Sequence, residues 1–331
     1  MTSPLRALAI AALLVGCGSS TKALRDGGSK DAGGGAAGRG ATGPDASVDH
    51  PVDAPSSEAA ASDAREVGHD APSDDAGGAG HVDAGPSSKR QTPHLLGANG
   101  APNGYLEYLP PGYDAAVPTP LLVFWHGIGE DGNGTSDLAK LTAWGPPKLI
   151  ANDAWDAARP FIVLSPQYTP TNGTIAPGGG CPSSATIDAF LTWALAHYAI
   201  DAKRVYLTGL SCGAIGSWDY LADHLGAVVA AAALLSGNPG DPAQAGSAWK
   251  RAGCALGAVA LWSFHGDADP TVPYAPDHDT TEDLIACPAP PRRDAKFTDV
   301  VGGGHTIWDP IYDLSGGSGD LYAWLLANAK P

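Results

Sequence analysis

Nothing in this 331-residue chain approaches the roughly 20 consecutive apolar residues that a helix needs to cross a bilayer core. Basic residues are scarce: 19 Lys and Arg stand against 35 Asp and Glu, for a formal charge of −16. The deficit is spread along the chain, with 12 acids against 7 bases over residues 18–91 and 23 against 11 from Thr92 onward. No basic patch stands out, and a negative chain repels phosphate backbones, so nucleic acid is excluded as an expected partner. The segment 18–92 has no aromatic residue and hardly a large apolar one; all nine Trp and all ten Tyr lie beyond residue 100. A stretch with so little to bury cannot offset the entropy of ordering its backbone, and it reads as a disordered tether. There is no Cys-x-x-Cys and no His-rich spacing of metal ligands, so neither metal nor organic cofactor is expected. No internal repeat is visible.

What is present divides into three parts. At the N-terminus, Arg6 precedes the apolar run 7–15, which fits the apolar region of an export signal. The run ends in Leu14-Val15-Gly16-Cys17, which resembles the lipobox of bacterial lipoproteins. That resemblance implies that residues 1–16 are removed, that Cys17 is acylated and holds the protein on a membrane, and that Gly18, where inner-membrane retention would want Asp, sends it to the outer membrane or cell surface. Residues 17–92 are then anchor and linker. Residues 93–331, about 240 of them, are ample for one α/β domain.

Export to an oxidising compartment makes disulfides reasonable for Cys181, Cys212, Cys254 and Cys287. Four cysteines allow three pairings. Cys254 with Cys287 is the expected one, because the two bracket a single strand and the turn after it.

In 93–331, short apolar runs alternate with longer segments of helical spacing, the pattern of a mostly parallel sheet covered by helices on both faces. Strands are expected at 105–109, 121–125, 161–164, 204–210, 228–235, 258–264 and 297–301, and helices at 186–198, 214–224 and 319–329. The unbroken apolar run Leu121-Leu122-Val123-Phe124-Trp125 indicates a strand buried on both faces. Ile187, Phe190, Leu191 and Leu195 form one stripe of an amphipathic helix. Pro118 and Pro120, Pro146 and Pro147, and the Gly-rich stretch 172–180 read as loops.

The decisive stretch is Leu207-Thr208-Gly209-Leu210-Ser211-Cys212-Gly213, a strand running into Gly-x-Ser-x-Gly and then a helix. That is the context of a nucleophile elbow: the turn strains the serine backbone, the glycines let strand and helix pack closely, and the serine projects at a helix N-terminus. A serine needs a base, and the base needs a carboxylate to hold its tautomer. In chain order the candidates are the acids of His265-Gly266-Asp267-Ala268-Asp269 and the histidine of Gly302-Gly303-Gly304-His305. Both follow expected strands, so the three loops share one sheet edge. From the residues alone, Asp269, Asp267, Asp277 and Asp279 stay open as the acid.

These motifs, with Tyr108-Leu109-Pro110-Pro111-Gly112-Tyr113, Phe124-Trp125-His126-Gly127 and Val272-Pro273, come in the order seen in secreted α/β-hydrolase serine esterases. The chain from Gly104 onward resembles the branch that includes polyhydroxybutyrate depolymerase-like, feruloyl-esterase-like and phospholipase/carboxylesterase-like enzymes. The resemblance implies an α/β-hydrolase fold, Ser211 as nucleophile, His305 as base, Asp269 as acid, and an oxyanion hole from the amides of Ile128 and Cys212. It also implies an ester substrate, polymer-linked esters among them. Cys212 stands where relatives often carry Met or Gln, and Ala214 where Gly is common; a disulfide from Cys212 would reshape the pocket wall. Peptide cleavage by the same fold, and a polymer-binding lipoprotein without turnover, are the readings that compete. His126 and His265, at strand ends, are expected to orient loops. His278, among Asp277, Asp279 and Glu282, reads as a solvated acidic loop without a recognisable calcium-ligand spacing. Trp308, beside His305, is the expected aromatic platform for substrate, ahead of Trp125 and Trp144.

Overall fold

The computed structural model describes residues 90–170, 180–290 and 292–331. The export signal, Cys17, the linker up to residue 89 and most of the Gly-rich stretch lie outside the described residues. Eight strands form one sheet: β1 (Thr92–His94), β2 (Tyr105–Tyr108), β3 (Thr119–Trp125), β4 (Ile162–Pro166), β5 (Ile200–Leu210), β6 (Ala231–Leu235), β7 (Ala260–Gly266) and β8 (Ala295–Val300). The order is β1-β2-β4-β3-β5-β6-β7-β8. β1 and β2 pair antiparallel, as do β2 and β4, and from β4 to β8 every pair is parallel.

The period-two alternation of strand side chains divides the core into two layers. Leu121, Val123 and Trp125 of β3 join Val205 and Leu207 of β5 on one face. They are covered there by α2 (Ser184–His197), α3 (Cys212–His224), α4 (Ala248–Ala252) and α5 (Tyr274–Ile285). Leu122, Phe124, Tyr206 and Phe264 point to the other face, under α1 (Gly145–Ala151), α6 (Trp308–Tyr312) and α7 (Leu321–Ala327). Ile187, Phe190 and Leu191 of the expected stripe are fully buried, and Leu195 packs at its margin. Each large side chain removed from water contributes about 2–3 kcal/mol, so strands clothed on both faces carry the stability.

Helix starts follow local chemistry. The Ser183 hydroxyl accepts from the Thr186 amide at the start of α2, and the Asp320 carboxylate from the Tyr322 and Ala323 amides at the start of α7. Five elements differ from expectation. Pro146 and Pro147 do not mark a loop but occupy the first turn of α1, where the missing N–H costs nothing. Residues 274–285 form α5 rather than a solvated acidic loop. Its buried positions, Asp277, Thr280, Thr281 and Leu284, keep helical spacing but three of them are polar, so no apolar stripe announces the helix. β1 and the short α4 and α6 were also unmarked.

Both pairs of cysteines are bonded. Cys254–Cys287 is the pairing anticipated, with Cα atoms 5.6 Å apart, and Cys181–Cys212 joins the stretch before α2 to the first turn of α3, at 4.6 Å.

Candidate active site

β5 ends at Leu210 and α3 starts at Cys212, leaving Ser211 as the single hinge residue, at φ 50° and ψ −120°. A side chain at positive φ costs about 1–3 kcal/mol. It is held there because the Ser211 amide donates to the Leu235 carbonyl at 2.9 Å while its own carbonyl accepts the Ile215 amide. The flanking glycines do what their spacing suggests. A Cβ on Gly213 would sit 2.0 Å from the Trp125 carbonyl oxygen, and one on Gly209 2.8 Å from the Gly213 carbonyl carbon.

The Ser211 hydroxyl donates to His305 Nε2 at 2.9 Å, and His305 Nδ1–H donates to Asp269 Oδ2 at 2.7 Å. Asp269 Oδ1 accepts the amides of Thr271 and Val272, at 2.8 and 3.0 Å. Burial alone would raise the Asp269 pKa, but the bonds from His305 and the two amides carry it below the usual carboxylate range. The carboxylate is therefore ionised, and His305 is fixed with Nε2 free to accept.

The other candidate acids are elsewhere. Asp267 accepts the Gly302 amide at the surface, Asp279 meets His278, and Asp277 is fully buried against His265. Among the described residues no cluster of three or more His, Cys, Asp or Glu could hold a metal ion.

The loop after β3 borders Ser211: a Cβ built on Gly127 falls 3.7 Å from Ser211 Cβ. Ile128 opens a 3₁₀ turn (Ile128–Glu130), and neither its amide nor that of Cys212 has a partner among the described residues. His126 fixes this loop, donating from Nδ1 to the Gly127 carbonyl at 2.6 Å and accepting the Tyr168 amide at Nε2. Burial pushes its pKa down to about 4, so the ring is neutral, as that bonding demands.

Trp308 departs from its expected part. It is only 4% exposed, lies in the core and turns its ring edge-on to His305, with centroids 5.1 Å apart. It packs against His305 and is all but closed to solvent. Trp125 is wholly buried, and Trp144 is edge-on to Trp308. Ser236 carries no signal in the sequence. Held at φ 51°, it donates its hydroxyl to the His305 carbonyl at 3.0 Å and so braces the histidine loop. Only a strained serine at the end of β6 marks it, and strain is invisible in a list of residues.

By sequence, neither a protein-family model nor a curated protein matches the chain. By structure it is similar to a thermostable esterase, at a TM-score of 0.51 and 23% identity over 73% of this chain and 64% of that one. It is also similar to a putative dipeptidyl aminopeptidase IV from Bacteroides ovatus and to dipeptidyl peptidase 4 of Porphyromonas gingivalis, each at 0.50, with 10% and 14% identity. The chain thus spans about two thirds of the esterase and 35% of each peptidase. Strand order, the elbow and these likenesses define a protein of the α/β-hydrolase fold.

Proposed function

We propose that this chain is a serine hydrolase of carboxylic esters, exported and anchored by a lipid on Cys17. The bonded line Ser211–His305–Asp269 carries the reading. Ser211 Oγ attacks the ester carbonyl while His305 Nε2 takes its proton, and the amides of Ile128 and Cys212 receive the oxyanion. His305 returns the proton to the leaving alcohol, which departs and leaves an acyl-Ser211. Water, deprotonated by the same nitrogen, then releases the acid. Asp269 holds the tautomer throughout. The open substrate class includes small esters and esters on polysaccharide or polyester, and a tether as long as 17–92 suits a surface enzyme facing a polymer.

The test is hydrolysis of a p-nitrophenyl acyl series from acetate to palmitate by the full-length chain and by Ser211→Ala, with fluorophosphonate labelling of Ser211. Turnover and labelling in the wild type alone support the reading. A folded wild type that neither labels nor turns over any ester is an inert binder, and cleavage of dipeptide p-nitroanilides in preference to esters makes the chain a peptidase. Mass spectrometry of the membrane fraction, with Cys17→Ser as control, tests the anchor: an unmodified Cys17 or a still-attached signal refutes it.

A further inference from the structure

Behind the triad stands a second imidazole. Among the described residues the ring nitrogens of His265, near the end of β7, meet only acceptors: Asp277 Oδ2 lies 2.8 Å from Nδ1, while the Val272 carbonyl and Asp269 Oδ2 lie 3.2 and 3.3 Å from Nε2. A carbonyl oxygen cannot donate, so Nε2 carries a proton, and a second proton sits between Nδ1 and Asp277. The three side chains are completely buried. An unsupported carboxylate there would be strongly destabilising. Asp277, however, also receives the Ser263 hydroxyl at 2.8 Å and the Trp218 indole N–H at 3.2 Å. Burial pushes the Asp277 carboxyl up while His265, Ser263 and Trp218 pull against it, and three donors around one carboxyl group favour the carboxylate, with both protons on His265. Burial opposes charge on that ring and the Asp277 partner overrides it, leaving His265 more basic than usual.

We propose that His265 and Asp277 are positioning residues of the reaction, an outer imidazolium–carboxylate pair that aims Asp269 at His305 and tempers its negative charge. The inference rests on the esterase reading above. Asp269 Oδ2 is shared between the two imidazoles and Oδ1 is held by two amides, so the carboxylate has no free turn to make. Electrostatically, a cation beside Asp269 weakens the carboxylate's pull on the Nδ1 proton of His305. Few other groups intervene. α5 contributes Asp277 and Tyr274, whose ring is edge-on to His265 at 5.8 Å and whose hydroxyl is bonded to Asp299 of β8. His278 stacks on the Tyr274 ring, and α3 brings only the neutral Trp218.

The test compares pH profiles of kcat/KM on a p-nitrophenyl ester for the full-length wild type, Asp277→Asn, His265→Gln and His265→Ala. Asn keeps the shape and can donate to Nδ1, leaving a neutral ring that still donates from Nε2; Gln keeps one donor toward Asp269 without the cation. Both should move the acid limb up by about half to one pH unit with KM within about twofold, and Gln should restore part of the kcat that Ala loses. A limb that stays put in both folded variants overturns the proposal. ¹⁵N spectra of the wild-type histidine rings decide without any variant: His265 should show both nitrogens protonated from about pH 5 to 9, and a bare nitrogen refutes the pair. Absence of ester turnover in the wild type would sink the esterase reading and leave the ring spectrum to judge the pair separately.

Discussion

Gly213→Ala tests whether the turn at Ser211 and the loop after β3 are one packed unit. The new methyl would lie 2.0 Å from the Trp125 carbonyl oxygen, 2.4 Å from its carbon and 2.7 Å from the His126 oxygen. All three are backbone atoms, so no side chain can swing aside. Either the start of α3 or the end of β3 must retreat by about 1 Å, since interiors this dense have no slack. Overpacking against such a wall belongs at the top of its usual range, about 3 kcal/mol. For a domain of this size that lowers Tm by about 6–12 °C. The same displacement separates Ser211 from the Ile128 amide, and a misplacement near 1 Å costs about a hundredfold in rate. The matched control is Gly129→Ala in the same loop, whose Cβ would meet nothing within 4 Å. Melting curves and kcat/KM at a temperature where both variants are folded form the assay. If Gly213→Ala melts within about 2 °C of the wild type and keeps its kcat/KM, the close approach is not a constraint and the argument fails.

Three further outcomes follow from the geometry. In Asp269→Asn the Oδ1 site still takes the Thr271 and Val272 amides, so the new NH₂ faces His305 Nδ1 and drives the ring proton to Nε2; kcat should fall about 10³–10⁴-fold with KM little changed, and a loss under tenfold in steady-state kinetics contradicts this. The Asp131 side chain is only 8% exposed, and among the described residues neither carboxylate oxygen has a hydrogen-bond partner; burial, with Glu130 beside it, raises its pKa from 3.8 to about 7. The folded state keeps that proton while the unfolded chain gives it up, so stability falls as pH rises from about 4 to 7. Asp131→Asn should therefore be more stable than the wild type at pH 8, by roughly 1–2 kcal/mol after solvent screening, and no more stable at pH 4; equal melting curves at both values would show otherwise. Removing Cys254–Cys287, a link across 33 residues at the end of the sheet away from Ser211, should cost about 3–4 kcal/mol and leave kcat/KM at 25 °C unaltered, whereas loss of Cys181–Cys212 should lower both.

Local pattern was enough to read seven of the eight strands and the strand–turn–helix at Ser211. An unbroken run such as Leu121 to Trp125, bounded by prolines and glycine, indicates a strand covered twice, and a strand that breaks at Gly-Leu-Ser-Cys-Gly into a helix defines the turn that holds Ser211, because both signals are written in neighbouring residues. The order in which serine, acid and histidine arrive was equally legible. What neighbours in sequence could not decide is which side chains meet across the sheet edge. Asp267 and Asp269 differ by two residues, yet only Asp269 reaches His305, because the turn after β7 points their carboxylates to different partners. The polar face of α5 has no hydrophobic period to betray it; Asp277 makes sense only once β7 supplies His265 and Ser263, and α3 supplies Trp218. The Cys181–Cys212 bond and the strained Ser236 belong to the same class. Apolar burial is a property each residue announces by itself, whereas hydrogen-bond partnership exists only between residues that the fold has already brought together.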